Sequence, residues 1–182
     1  LCGIELDYTS NIDVSRFDYV IGSIHYFQEK DSDYAIDGTV DNLFYTVKTL
    51  FNGDYYSFAE RFFALYKPMM EKINPDVIGH FNILTKFNTE YNLFDEHNPR
   101  YVKAWKKAID EILPYNKPFE INTGAIARGY RNEPYPSNEM IEYIGARGGS
   151  FILSSDAHNK EHIAFEFDKW QNEYKNLNFV EI

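Results

Sequence analysis

A single cysteine, Cys2, occurs in 182 residues, so no intramolecular disulfide can staple the fold, and the expected setting is a reducing cytoplasm. Basic residues are also scarce: 18 lysines and arginines stand against 28 aspartates and glutamates, a formal net charge of −10. That balance opposes binding to nucleic acid, where affinity comes from clustered cations. It does not exclude small phosphorylated metabolites, because a few arginines or metal ions can hold an anion locally. No uninterrupted apolar run approaches the ~18 residues of a membrane span. The first residues lack the basic start and apolar stretch of a signal peptide, and no repeat, low-complexity stretch or Pro/Gly-rich linker divides the chain. These absences point to one soluble domain over 1–182.

Apolar residues make up 44% of the chain and aromatic residues 18%, enough to bury a sizeable core, with most of the Tyr and Phe assigned to packing. Short β-branched or apolar runs alternate with longer helical segments, the pattern of an α/β fold around a mainly parallel sheet. Strands are expected at Gly3–Asp7, Tyr19–His25, Val77–His80, Phe119–Asn122, Phe151–Ser155 and Asn178–Ile182. Helices are expected at Val40–Phe51, Tyr55–Glu71, Pro99–Leu113, Asn138–Gly145 and Glu161–Tyr174. Pro99 after Asn98 and Ser137 before Glu139 mark helix starts, and Asn52-Gly53 marks a stop. Leu1 is not a start methionine and a strand begins almost at once. A complete β/α barrel runs to roughly 250 residues, so the expectation is a barrel lacking its N-terminal strand or strands in this chain.

Residues suited to metal binding fall just after separate expected strands: Glu5 and Asp7, then His25, His80, Glu120, and finally Asp156 with His158. In a barrel, strand ends from distant parts of a sequence converge on one face. Alternation puts Glu5 and Asp7 on the same side of an extended strand, where two carboxylates repel unless cations or donors neutralise them. The alternative is an exposed strand end whose charges stay solvated. His25 and His80 are each either a metal-ligating imidazole or a hydrogen-bonded packing residue, and Gly79 would permit close backbone approach. Alternation also places Asp156 and His158 on one face as a paired oxygen and nitrogen donor. The alternative there is an Asp capping a following helix beside a solvated His. His97 is assigned to a surface loop, and His162 to a structural or supporting position.

The phrases GIELDY, GSIHY, IGHFN, FEINTGAIARGY and SSDAH, in this order and spacing, resemble the polymerase-and-histidinol-phosphatase family, especially its histidinol-phosphatase branch. The resemblance implies a distorted seven-stranded β/α barrel with up to three divalent metal ions, drawn from zinc, iron and manganese. By it, Glu5 corresponds to a bridging carboxylate, His25 and His80 to metal histidines, and Asp156 with His158 to the terminal ligand pair. Glu120 looks like an acidic supporting or substrate-orienting position, and Arg128 falls where phosphatase members carry a phosphate-binding arginine. Two departures stand out: the family's opening His-x-His motif and next histidine have no counterpart in this chain, and Asn82 replaces an aspartate frequent after the Gly-His pair.

The expected activity of the intact protein is metal-assisted hydrolysis of a phosphomonoester, histidinol phosphate first among candidates, within histidine biosynthesis. Arg128 would grip the phosphate with Arg131 as helper, and Asp156, His158 or a metal-bound water would protonate the departing alcohol. Glu120 would favour a cationic organic end. The alternatives are another small phosphorylated metabolite, or a noncatalytic metal-binding barrel.

Overall fold

The computed structural model describes residues 1–182. The strand β1 (Gly3–Asp7) pairs in parallel with β2 (Tyr19–Ser23) over all five residues, from Gly3 opposite Tyr19 to Asp7 opposite Ser23. After His25 the chain makes an antiparallel hairpin, β3 (Tyr26–Glu29) and β4 (Ser32–Ala35), which forms a separate two-stranded sheet. Three helices follow: α1 (Val40–Phe51), α2 (Tyr55–Ala64) and α3 (Tyr66–Ile73). Thr39 and Asn42 close a reciprocal cap on α1, and the Asp54 side chain accepts from the Tyr56 and Ser57 amides to start α2, satisfying donors that a helix start leaves free.

Next come β5 (Val77–Ile78), a 3₁₀ turn at Ile83–Thr85, α4 (Asn88–Tyr91), α5 (Pro99–Ile112) and a 3₁₀ turn at Leu113–Tyr115. The chain continues through β6 (Phe119–Asn122), α6 (Gly124–Ala127), α7 (Asn138–Gly145) and β7 (Ser150–Ser154). It finishes with a 3₁₀ turn at Lys160–His162, α8 (Phe167–Glu173) and β8 (Asn178–Phe179).

The main sheet has six strands, all parallel and in the order β1-β2-β5-β6-β7-β8. Sequence order in a parallel sheet means every crossover returns on the same side, because such connections are right-handed. The two faces are correspondingly unlike. A Cβ placed on Gly22 would meet Pro75 and the Met69 side chain of α3, whereas one on Gly79 would meet Ser23 Oγ at 2.5 Å and Ile21. Ile78, Phe119, Ile121 and Phe151 share the helix side and join a core with Phe58, Phe62 and Tyr66 of α2 and α3, and Trp105 and Ile109 of α5. Register puts Glu5, Ser23, Gly79 and Glu120 on the opposite face, since side chains alternate along each strand.

The α/β class with a parallel sheet is as the sequence predicts. The seven-stranded barrel is not what this chain forms: β1 and β8 remain unpaired edges of an open six-stranded sheet. The expected helix Tyr55–Glu71 breaks at Leu65, because Pro68 has no N–H with which to bond the Ala64 carbonyl. The expected strands ending at His25 and His80 stop at Ser23 and Ile78, which releases both histidines from the pleat. The β3–β4 hairpin escapes sequence reading, because its two-residue Lys30-Asp31 turn lacks the Asn-Gly or Asp-Gly signature. The expected helix Glu161–Tyr174 resolves into the Lys160–His162 turn and the shorter α8.

Candidate metal centre and active-site cavity

Glu5 points from β1 to the face opposite the helices and is met there by two imidazoles. Its Oε1 lies 3.0 Å from His25 Nε2 and 2.8 Å from His80 Nε2. One carboxylate oxygen and two ring nitrogens thus fall within 4.8 Å of one another, a grouping able to hold a metal ion. The two rings meet edge to face at 4.9 Å.

Each histidine is held through its backbone by a carboxylate. The His25 amide donates to Asp7 Oδ2 at 2.6 Å, so Asp7 anchors the loop rather than joining the three-donor group. The His80 amide donates to Glu120 Oε2 at 2.7 Å, with Glu120 itself almost wholly buried. Through its ring, His25 also meets Asp37 Oδ1 at 3.1 Å from Nδ1. Such an outer carboxylate fixes which nitrogen faces the centre. His80 Nδ1 has no partner.

The electrostatics follow from these contacts. Burial pushes the Glu5 carboxyl up, but the hydrogen bonds from His25 and His80 outweigh it and hold the group well below the usual carboxylate range. Burial disfavours charged His25, yet the bonds to Asp37 and Glu5 prevail and raise it from 6.5 to about 10. His80 is raised as well, its burial overcome by Glu5 and by the charge of Glu120. The donor set fits a divalent cation on its own chemistry. His25 cannot donate to both Asp37 and Glu5 unless it is protonated on both nitrogens. A cation at Nε2 would take the place of that second proton and leave Nδ1–H for Asp37.

The cluster forms one wall of a cavity of about 230 Å³. Arg128, just after α6, enters from the β6 side, its guanidinium bonded to the Asp156 carbonyl at 2.7 Å and to Asp156 Oδ2 at 2.9 Å. His158 Nε2 lies 3.2 Å from Asp156 Oδ1. Asp156 and His158 therefore line the same cavity but stand outside the three-donor group. Their shared position does not come from strand alternation. The strand β7 ends at Ser154, and Asp156 adopts the left-handed conformation, with φ of 42°.

Other expected positions are resolved by their partners. Arg131 does not reach the cavity: its side chain is 4% exposed and bonded to Glu96 at 2.6 Å and to Glu133 at 2.7 Å. With its guanidinium paired to two carboxylates, it is not available as a helper at the phosphate. Glu120 lies behind His80 and does not line the cavity, so a direct grip on the substrate's organic end gives way to a supporting position. Asn82 is fully buried, also outside the cavity wall, with Thr85 Oγ1 3.5 Å from its Nδ2, which places the Asn-for-Asp departure away from the metal group. His97 is on the surface, 87% exposed.

Sequence reading missed Asp37, Lys86, Tyr130 and Tyr135, all of which line the cavity. Asp37 sits in an Asp-Gly pair that reads as an ordinary turn before α1. The other three lie beyond strand ends, in segments without a ligand-like spacing.

No family model matches the sequence. The chain is 26% identical over 153 residues to a protein of Schizosaccharomyces pombe named "Probable histidinol-phosphatase", covering 84% of this chain and 48% of that protein. It is 25% identical over 180 residues to a histidinol-phosphatase of Saccharomyces cerevisiae, with 87% and 51% covered. A "Probable histidinol-phosphatase" of Deinococcus radiodurans is 28% identical over 154 residues, with 83% and 51% covered. The chain thus spans about half the length of the curated relatives it matches. The fold is shared with a crystal structure assigned as a histidinol phosphatase from Listeria monocytogenes, at a TM-score of 0.70 and 16% identity, over 85% of this chain and 58% of that one. Motif order and these matches agree in one direction: over most of its length the chain is similar in sequence to histidinol phosphatases.

Proposed function

We propose that the protein carrying this chain is a metal-dependent phosphomonoesterase whose substrate is histidinol phosphate. The observation that carries this reading is that the Glu5–His25–His80 donor group and Arg128 line one cavity. Candidate metal ligands and a guanidinium in one cavity are what hydrolysis of an anionic ester requires. The relatives' names supply the alcohol.

When bound, divalent ions drawn from zinc, iron and manganese would activate water and offset charge on the phosphoryl group. Glu5, His25 and His80 would hold a first ion, with Asp156 and His158 the nearest further donors. Asp37 orients the His25 ring, and Glu120 holds the His80 backbone in place. Arg128 binds a nonbridging oxygen, its fork already aimed by Asp156. Of the two side chains among the three candidates for protonating the departing alcohol, His158 is better placed, because Asp156 is engaged by Arg128 while the His158 ring is largely exposed. Closure of the sheet into a seven-stranded barrel in the whole protein belongs to the same reading. It is supported by the sequential all-parallel strand order and by the site lying on the face away from the helices.

The test is phosphate release by the full-length protein, metal-loaded, on histidinol phosphate beside unrelated phosphomonoesters at matched concentrations. Histidinol phosphate should show the highest kcat/KM, with activity lost on chelation. A different ester turned over far better would sink the substrate assignment, and full activity without metal would sink the mechanism.

A further inference from the structure

Among the groups lining the cavity outside the metal group, Arg128 and His158 have been given tasks, while two further hydrogen-bond donors, Lys86 and Tyr135, have not. The first is Lys86, one residue beyond the Ile83–Thr85 turn that follows His80. Its Nζ donates to the Asp37 carbonyl at 2.6 Å and lies 4.9 Å from the centre of the Tyr130 ring and 5.2 Å from that of Phe87. It makes no ion pair, in a protein whose acidic residues outnumber its basic ones by ten. An ammonium group has three N–H donors, so two remain beyond the bond to the Asp37 carbonyl on a half-buried cation that lines the cavity.

The second is Tyr135. A backbone bridge fixes it to the end of β6, with Asn122 N bonded to Tyr135 O at 2.7 Å and Tyr135 N to Asn122 O at 3.1 Å. Its side chain is buried, with 2% of the residue exposed, and lines the cavity, yet its hydroxyl has no partner. A buried hydroxyl left unbonded is costly and calls for an explanation. Burial, with the arginines opposing, raises its ionisation well above the ordinary tyrosine value, so at neutral pH it is a donor. Arg128 and Asp37 both act on it electrostatically, as Arg128 and Asp156 do on Lys86. The three donors Arg128, Lys86 and Tyr135 line the same cavity as Glu5, with Lys86 tied to the residue that also bonds the His25 ring.

We propose that Lys86 and Tyr135 complete the phosphate-binding end of the cavity with Arg128: Lys86 Nζ and the Tyr135 hydroxyl each donate to a nonbridging oxygen of a phosphoryl group. This rests on the phosphomonoesterase reading and extends it to two residues outside the motifs. It gives the unpaired hydroxyl its partner, and it gives the phosphate a second cation while Arg128 remains shared with Asp156. Tyr130 and Phe87 act as the apolar seat that keeps the Lys86 ammonium at the cavity rather than in solvent.

The experiment uses the full-length, metal-loaded protein and inorganic phosphate as probe, with the phosphate dissociation constant, metal content and thermal midpoint measured for wild type, Tyr135→Phe and Lys86→Met. Each variant should bind phosphate roughly tenfold more weakly or worse, the scale of one hydrogen bond to a charged group, at unchanged metal content. Tyr135→Phe should keep or raise the thermal midpoint, because the hydroxyl it removes bonds nothing in the free protein. If wild type binds phosphate and both variants bind it as tightly, the proposal is overturned while the phosphomonoesterase reading stands. Should Tyr135→Phe instead lower the midpoint with phosphate affinity intact, the hydroxyl is structural and its assignment is wrong. Should Lys86→Met fail to fold, Tyr135→Phe alone carries the test. Wild type that binds no phosphate and hydrolyses no phosphomonoester would overturn the parent reading along with this one.

Discussion

Two polar clusters lie on neighbouring segments, and they differ in how their charged groups are partnered. Around Arg131 the guanidinium bonds Glu96 through both terminal nitrogens, Glu133 through one of them, and the Thr85 carbonyl. Around Glu5 the reverse holds: two histidines converge on one oxygen, Lys86 has no counter-ion, and the Tyr135 hydroxyl has no partner. In the first, both terminal nitrogens of the guanidinium are paired with carboxylates, although its Nε has no partner and the group lines a separate cavity. The second leaves donors and acceptors aimed into a cavity, the signature of a site that awaits something. Arg128 and Arg131 are only three residues apart, yet they fall on opposite sides of this divide.

The largest expected effect comes from breaking the Arg131 cluster. Arg131→Ala leaves Glu96 and Glu133 without their cation and should cost about 3–5 kcal/mol in a denaturant titration, the usual penalty for orphaning a buried charge. A cost near zero would mean that the cluster does not hold these loops together.

In the Glu5 cluster, Asp37→Asn should barely change folding but weaken metal binding by roughly 10–100-fold, because His25 loses the partner that orients its ring. Competition with a metal chelator reads this directly. Metal affinity equal to wild type would remove Asp37 from the site.

A smaller effect distinguishes the two clusters by pH. In metal-stripped protein His25 is raised from 6.5 to about 10, so its stabilising contribution is fully present below 6.5 and lost as pH climbs through about 10. Glu5 and Asp37 are held low, so their contribution is present above the ordinary carboxylate range and lost as pH falls through it. The thermal midpoint of stripped protein should therefore decline between pH 7 and 10. Metal-loaded protein should not show that decline, since His25 Nε2 no longer carries a proton. Parallel curves for the two forms would mean that His25 is not a ligand.

Much of the scaffold was legible in the sequence, for local reasons. The strands Gly3–Asp7 and Phe119–Asn122 and the helices Val40–Phe51 and Asn138–Gly145 appear at the expected bounds, because apolar spacing and terminal residues determine such elements within a few neighbours. Pro68 could have announced the break at Leu65, but the apolar spacing continues across it. Among the site residues, Glu5, His25 and His80 were legible because Glu5 lies in a strand and the two histidines just after strands, where chemistry is concentrated.

Asp37, Lys86 and Tyr135 were not legible. Their residue types are common, and none sits at a ligand spacing. The sequence by itself determined the parallel α/β class, the acidic balance that opposes a nucleic-acid partner, and the histidines and carboxylate able to gather a metal. Tertiary structure alone decided that Arg128 faces the cavity while Arg131 is locked into Glu96 and Glu133, and that Glu120 stands behind His80. It also decided that the Tyr135 side chain and Lys86 line that cavity. The physical reason is that pairing among buried charges depends on which groups the fold brings within about 3 Å, and that separation is set by loops whose course no local pattern encodes.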